Sequence, residues 1–443
     1  MAIDVVQEIE TLLGRQAVEE LDLEALELIV RQRVLRLAGA AVEQRLNADT
    51  SDERGSRIRC SCGQEARYAG RRAKNFLCVL GPLRLERAYY HCSSCGQGFC
   101  PRDRQLGLEN SSLSPALTRM TGTVGAMVSF QEGSALLREL AGVPVDAKQV
   151  ERTAEALGKE VAEDERLHSE PLDALPLPRT LYLGMDGTGI PLRAEELVGR
   201  TGKQPDGSAK TGEVKLCTIW SAESRDEQGT PVRDEGSVTY SAALESACAL
   251  DTAASRSPFA QRVWREATRR RFCQAPRRVV LGDGALWIWN IADEQFPGAT
   301  QIVDRYHVKE YLSDLGKALY GPTAPRAAQW AERRKEELDT GKFPALLNAI
   351  RRQVPRSDLA RRCLHYFKTN RERMRYTEFH AQGLCTSSGV VEAGCKVAIG
   401  TRLKRAGMHW TKPGSNAIIA LRCSKLSGRF QDFWERRSER RAA

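Results

Sequence analysis

The 443-residue chain has no run of the roughly 18 consecutive apolar residues that a membrane-spanning helix requires. Its opening, Met1-Ala-Ile-Asp-Val-Val-Gln-Glu8, offers neither the basic start nor the apolar stretch of a secretory leader. No unit recurs at a fixed period, which excludes solenoid and propeller architectures. A motif for an activated side-chain nucleophile is missing as well. What remains is a balance of 41% hydrophobic and 28% charged residues, able to build sizeable cores. Membrane, secreted, collagen-like and wholly disordered classes fall away, and a cytoplasmic location is expected. At roughly 100–200 residues per domain, the length implies two to four domains.

Charge is plentiful and unevenly placed. Lys and Arg number 67 against 57 Asp and Glu, a formal net charge of +10. Residues 1–55 hold six Arg and twelve acids, a net of −6. Residues 56–104 hold ten basic residues against three acids, and residues 401–443 eleven against three. Such basic blocks suit a polyanion, because phosphate contacts supply most non-specific nucleic-acid affinity. A solvated charged surface gives the same count.

Pattern divides the chain into six segments. Residues 1–55 read as helix. Val18, Leu21, Ala25, Leu28, Leu35, Val42 and Leu46 fall on alternating three- and four-residue steps, interrupted by Gln32 and Gly39. Gly39 costs such a helix about 1 kcal/mol relative to Ala. The seam serves either self-association, slightly the better reading, or packing on the rest of the chain. Polar residues 47–57 read as a linker. Residues 56–104 form a cysteine-rich module, and residues 105–178 are helical. Within the latter, Ser129–Leu140, a Gly/Pro turn and Ala147–Val161 have the pattern of helix, turn, helix. A helix-turn-helix would send Lys148, Gln149, Glu151 and Arg152 into a major groove; an ordinary αα-hairpin looks the same. Pro171, Pro176 and Pro178 then mark a linker.

From 179 to 320 the periodicity changes. Strands are predicted at Thr180–Met185, Val214–Trp220, Ser237–Ala242, Arg278–Gly282 and Thr300–Val303. Helices are predicted at Ala243–Phe272, Leu286–Phe296 and Val308–Tyr320. Three strands followed by alternating helices and strands make an α/β layout with a mixed sheet. Residues 321–385 read as a helical insertion, and residues 386–443 as the end of the core with a basic tail.

Thirteen cysteines in a reducing compartment are poor disulfide formers, and clustered ones more often hold metal. Cys60-Ser-Cys62-Gly63 and Cys92-Ser-Ser-Cys95-Gly96 flank two alternating runs joined at Gly81-Pro82. Knuckle, hairpin, knuckle is the layout of a zinc ribbon, with four thiolates closing one structural Zn²⁺ site. The first knuckle is one residue short, and Cys78 and Cys100 stand as spare ligands. A closed site does no chemistry. Its expected role is to fold a basic module that grips DNA through Arg67, Arg71, Arg72, Lys74, Arg84 and Arg87.

Two carboxylates stand at predicted strand ends beside small residues, Asp186 before Gly187-Thr-Gly189 and Asp283 before Gly284. Either alone is an ordinary turn residue. A pair in one domain repels unless protonated or neutralised, and a divalent cation is the usual remedy. Glu392, in Ser387-Ser-Gly-Val-Val-Glu392-Ala-Gly-Cys-Lys396, would complete an oxygen-rich site. Ser387 or Ser388 is placed to cap its helix. Lys396, four residues on, shares a helical face with Glu392, either to approach phosphate or as a simple ion pair.

Together Gly-Met-Asp186-Gly-Thr-Gly, Gly-Asp283-Gly-Ala, Asp304-Arg-Tyr-His307 and Ser-Gly-Val-Val-Glu392 resemble a bacterial insertion-sequence DDE transposase of the ISKra type, related to the Mutator-like elements. The resemblance implies an RNase H-like catalytic core with Asp186 on its first strand, Asp283 just after its fourth, and Glu392 beyond a helical insertion. It implies two Mg²⁺ (or Mn²⁺) ions per active site, with Asp186 bridging both, Asp283 holding one and Glu392 the other. Water would cut first, and the freed 3′-OH would then attack target DNA. Asp304 and His307 match an auxiliary Asp-x-x-His element; His307 either touches DNA near the cut or braces the helix that follows. The partners implied are the element's terminal inverted repeats and target DNA, with a homodimer or larger assembly on them, in a nucleoid-associated setting. Arg402, Lys404 and Arg405 would grip phosphates beside the cut. A nuclease or resolvase of the same fold would share the acids. A non-catalytic descendant would have lost them.

Overall fold

In the computed structural model, residues 22–171, 177–199, 209–248 and 256–442 are described, with isolated positions 7, 10, 11, 202 and 204. The chain divides into two compact units, residues 1–154 with 431–443, and residues 155–430. No described helix is long and apolar enough to cross a membrane.

The first unit is built on an antiparallel sheet of β1 (Arg57–Arg59), β2 (Glu65–Cys78), β3 (Gly81–His91) and β4 (Gly98–Phe99), in sequence order. Helix α1 (Leu23–Ala48) starts at Asp22, whose side chain accepts the Glu24 N–H. Gly39, a gap in the expected seam, is where α1 meets the β2–β3 hairpin. A Cβ there would lie 3.4 Å from Leu83 and 3.5 Å from the Leu80 carbonyl. Leu28 and Val42 stay exposed, while Val18 and Leu21 lie outside the described residues.

The stretch expected as a linker is instead tied down. Asp52 is 1% exposed. Its carboxylate takes the Ala88 N–H at 2.7 Å and ion-pairs Arg71 at 3.1 Å and Arg102 at 3.4 Å. Polar composition marks solvent only when no buried partner waits for the charge. Helices α2 (Pro101–Leu106), α3 (Pro115–Met127) and α4 (Phe130–Ala141) follow, then α5 (Ala147–Leu167). The expected helix, turn, helix is present. Ser129 and Glu132 form a reciprocal capping box, and Gly142 closes α4 in the left-handed conformation.

The second unit carries a five-stranded mixed sheet. Its strands are β5 (Thr180–Pro191), β6 (Thr211–Ser221), β9 (Thr239–Ala243), β10 (Arg277–Gly282) and β11 (Thr300–Val303), with a small β7–β8 ribbon (Ser224–Arg225, Pro231–Val232) outside it. The spatial order is β11-β10-β5-β6-β9. β5, β6 and β9 are antiparallel neighbours, whereas β10 runs parallel to both β5 and β11. All five predicted strands are therefore present. The apolar run Leu181–Met185 is fully buried, as a central strand covered on both faces demands. Tyr182 stacks on Trp220 at 5.4 Å. Helices α6 (Pro258–Arg269) and α7 (Leu286–Gln295) add Phe259, Val263, Ile288 and Ile291 to the same core.

The long helix expected from Ala243 starts only at Pro258, capped by Ser257, because β9 continues to Ala243. After β11 come α8 (Arg305–Tyr320), α9 (Pro325–Asp339), α10 (Phe343–Arg351), α11 (Asp358–Thr369) and α12 (Tyr376–Ala381). Helix α13 (Gly389–Gly394) leads through a π-turn over Cys395–Gly400 into α14 (Thr401–Leu403). Helices α15 (Lys412–Leu426) and α16 (Phe430–Ala442) end the chain.

Helix α13 lies directly on the sheet because two glycines admit it. A Cβ at Gly184 of β5 would sit 2.2 Å from Val391, and one at Gly394 would sit 2.9 Å from Leu216 of β6. Gly184→Ala is therefore expected to destabilise the chain by about 1–3 kcal/mol, the usual range for overpacking a filled core. Urea denaturation monitored by tryptophan fluorescence measures this; an unchanged midpoint would mean that α13 yields freely.

Candidate active site and metal centre

In the first unit the two knuckles close on each other. Cys60 N–H donates to Gln64 O at 2.7 Å and Cys92 N–H to Gln97 O at 2.9 Å, folding each pair into a tight turn. Gly63 and Gly96 follow at φ +86° and +71°. The thiol atoms of Cys60, Cys62, Cys92 and Cys95 all lie within 4.8 Å of one another, the one such group among the described residues. Cys60 and Cys95 sulfurs are 3.6 Å apart, and those of Cys62 and Cys92 are 3.7 Å apart. Zn–S bonds of about 2.3 Å in a tetrahedron put sulfurs about 3.8 Å apart. The four cysteines are thus positioned to bind a metal ion, and they fit zinc despite the short first knuckle. Backbone N–H donation, first from Cys95, pulls the Cys92 thiol down to about 6. For Cys95 the Gln97 N–H pulls the other way, but burial and the neighbouring thiols leave it pushed up to about 12. Crowded thiols cannot all ionise without a cation. Cys78 stands apart, packed with Phe76, Leu83 and Leu85, and Cys100 opens α2.

Of the cations expected to grip DNA from this module, several are spoken for. Arg71 pairs with Asp52 and donates to the Glu86 carbonyl at 2.7 Å. Lys74 lies 3.6 Å from Asp103 and bonds the Leu108 carbonyl, and Arg87 pairs with Asp103 as well. Arg72 is exposed and lies over the Tyr89 ring at 3.5 Å. Lys148 pairs with Glu151 at 2.7 Å at the surface, and Arg152 is exposed.

In the second unit Asp186 is not at a strand end but inside β5, paired with Leu216, because the β5–β6 hairpin runs on to Pro191. The β10–β5 register pairs Leu281 with Gly184, so Asp283, two residues later, comes level with Asp186. Asp283 Oδ1 accepts the Ala285 N–H at 2.9 Å, turning the chain into α7. Its carbonyl accepts the Tyr366 hydroxyl at 2.9 Å. Gly284 has φ +98° with the Tyr366 ring 2.6 Å from where a Cβ would be, so only glycine serves there. Tyr366 stacks on Tyr311 at 4.7 Å, and His307 meets Tyr311 edge-on at 5.1 Å. The His307 ring nitrogen lies 3.7 Å from Glu310.

Glu392 is exposed, one turn into α13, and its Oε1 accepts the Ser388 hydroxyl at 3.2 Å. Asp186 Oδ1 accepts the Gly187 N–H at 2.6 Å, and its Oδ2 accepts the Cys395 thiol at 3.3 Å. Burial pushes the Asp186 carboxyl up, against these two hydrogen bonds, and the charges of Asp283 and Glu392 push it further. Residues far apart in sequence thus act on one another electrostatically. Lys396 lies in the π-turn that starts at Cys395 and, like Glu392, is exposed.

The basic C-terminal stretch differs most from expectation. Arg402 is fully buried, lying over the Trp410 ring at 5.1 Å with a guanidinium nitrogen 3.7 Å from Met408 Sδ. Arg422 and Arg429 are buried too; Arg429 pairs with Glu266 at 3.0 Å and Glu165 at 3.1 Å. A charge count cannot see such pairing. Lys404 and Arg405 are exposed, and Lys404 reaches back to the Thr188 hydroxyl, two residues beyond Asp186. Sequence reasoning missed Tyr366, which carries no local signal. Cys395 stands three residues after Glu392 on a predicted helix, a spacing that places it on the same side.

No family model matches the chain, and no curated protein matches it. Among solved structures it is similar to a chain of a Drosophila P element transposase strand transfer complex, at 10% identity over 76% of this chain and 84% of that one, with a TM-score of 0.27. A likeness that slight carries no inference about the present site.

Two measurements test the centres. Protein purified without chelator is expected to hold about one equivalent of zinc, and Cys92→Ser to lose it; a zinc-free, fully folded wild-type chain would leave these residues as ordinary thiols. For Asp186, a carboxyl raised above its unfolded value supports the fold at low pH. It loses that support as pH rises through the folded value. Metal-free Asp186→Asn should therefore melt higher than wild type at neutral pH. Its advantage should shrink as pH falls towards the unfolded value near 3.8. An equal or lower melting temperature at neutral pH would show that the carboxylate is not under strain.

Proposed function

We propose that the chain is a DDE-type DNA transposase of the insertion-sequence kind, with Asp186, Asp283 and Glu392 as its active site. The observation that carries this reading is the electrostatic convergence of the three acids, from β5, the end of β10 and α13, on a half-buried Asp186. The sheet order supports it. Numbered along the sheet strands, it reads 5-4-1-2-3, with antiparallel neighbours 1, 2 and 3 and parallel neighbours 1, 4 and 5, the order of an RNase H-like core. A helical insertion stands between the second and third acids, as that reading requires.

The donor chemistry fits magnesium or manganese, since all three side chains offer hard carboxylate oxygens. Bound there, the ions would supply charge neutralisation at the attacking and leaving oxygens of a phosphodiester. The chain's own residues do the rest. Gly187 N–H and the Cys395 thiol hold the Asp186 carboxylate in one orientation. Ser388 steadies Glu392, and Tyr366 fixes the backbone at Asp283. Lys404, beside Thr188, and the exposed Arg405 would contact DNA phosphates in this reading. Arg402 is withdrawn from that list by its burial. DNA ends and target are the partners in this reading, and because two ends must be held together the chain acts as a dimer or larger assembly.

Incubating the full chain and Mg²⁺ with DNA carrying the element's own terminal repeats tests the reading. Asp186→Ala, Asp283→Ala and Glu392→Ala should each abolish cleavage, a loss of at least about 1,000-fold, while end binding by gel shift stays within a few-fold of wild type. Near-wild-type cutting by any one of them would remove that residue from the site.

A further inference from the structure

One buried carboxylate joins the two halves of the acidic site without belonging to it. Asp304 has no solvent exposure. Its N–H donates to the Gly282 carbonyl at 2.8 Å, extending the β10–β11 pairing to the residue just before Asp283. Its Oδ1 accepts the His307 N–H at 2.6 Å, as the N-cap of α8. Its Oδ2 accepts the N–H of Ser388. Ser388 opens α13, where its carbonyl takes the Val391 and Glu392 amides at 2.7 and 2.9 Å and its hydroxyl reaches the Glu392 carboxylate. A second strut lies alongside, from Arg305 N–H to the Thr386 carbonyl at 3.0 Å. A continuous chain of bonds therefore runs from the Asp283 strand through Asp304 to Glu392.

We propose that Asp304 is a positioning residue: through the Ser388 amide it fixes the Glu392 helix relative to Asp283. The proposal rests on the reading of the three acids as an active site. It also explains the Asp-x-x-His spacing, because three residues separate an N-cap from the amide it accepts. His307 contributes its backbone amide to this arrangement, not its ring. Only an ionised carboxylate offers two acceptor oxygens and no donor on so short an arm. Asn has one acceptor and would point an NH₂ at one of the two amides. Ser has a single oxygen. Both are good helix caps, so either variant keeps the α8 cap and loses the tie to Ser388.

The test uses the full chain with Asp304→Asn, Asp304→Ser and, as control, His307→Ala. Hydrogen exchange followed by mass spectrometry on the metal-free protein is the primary readout. Peptides covering residues 386–394 should exchange at least about tenfold faster in both Asp304 variants, while the remainder of the second unit and the melting temperature change little. His307→Ala should exchange there like wild type. In cleavage assays the Asp304 variants should lose about 100-fold in kcat with KM for end DNA unchanged, the signature of a displaced catalytic group. The Mg²⁺ concentration for half-maximal rate should rise. Unchanged exchange at 386–394 in both variants overturns the proposal. Global unfolding of both overturns it too, since Asp304 would then hold the whole fold and not one helix. If wild type itself fails to cut DNA, the functional reading falls while the exchange comparison still decides the tie.

Discussion

The absence of a side chain at one position on the central strand governs the second unit. At Gly184 the backbone of β5 is bare, and the helix bearing Glu392 settles onto it through Val391. That contact sets the height of the helix above the sheet. It brings Cys395 within hydrogen-bonding distance of Asp186 and holds Glu392 at the rim beside Ser388. A side chain at Gly184 would lift all three together, so packing and chemistry are specified by the same atom's absence. Gly394 repeats the device against β6 one turn later, which fixes the tilt as well as the height.

Around this contact the structure sustains an electrostatic conflict. Asp186 is drawn into a largely apolar sheet beside two further acids, an arrangement that burial and like charge both disfavour. Rigid neighbours keep the acids from moving apart. Tyr366 pins the Asp283 backbone, and Asp304 ties the strand end to the opening of α13. Aromatic stacking of Tyr311 on Tyr366 stiffens the first of these supports. The helices between β11 and α13 thus reach the candidate site through α11.

The sequence was legible where periodicity and punctuation agree. The runs that became the five strands of the sheet are rich in β-branched and aromatic residues, so their existence was plain, although β5 runs six residues past its apolar run. The start of α4 was read at Ser129, one residue ahead of the helix itself, where Ser129 serves as its N-cap. Three features were not legible, for one reason. Asp52 lies in a polar stretch, Arg402 in a basic one and Asp304 in a short motif, and each is buried against a partner that its own motif does not announce. Local composition reports what a residue would prefer in water. It says nothing of Ala88, Trp410 or Ser388, which decide where these three charged side chains end up. The cysteine quartet was readable from spacing alone, but its cross-knuckle pairing of Cys60 with Cys95 and Cys62 with Cys92 needed coordinates.

A metal ion in the quartet would make the first unit responsive to its surroundings in a way its hydrogen bonds alone would not. Its ligands come from the β1–β2 and β3–β4 turns, 30 to 35 residues apart in sequence, and the unfolded chain offers no such preassembled cage. Ion affinity at that point is therefore folding free energy. Above saturation, each tenfold rise in free ion adds about 1.4 kcal/mol to the stability of the sheet, and each tenfold fall removes as much. A large module can absorb that swing in its core. The small cluster of Ala66, Ala88 and Tyr90 beside the quartet has little core of its own, so with an ion bound its folded population would track metal supply by mass action.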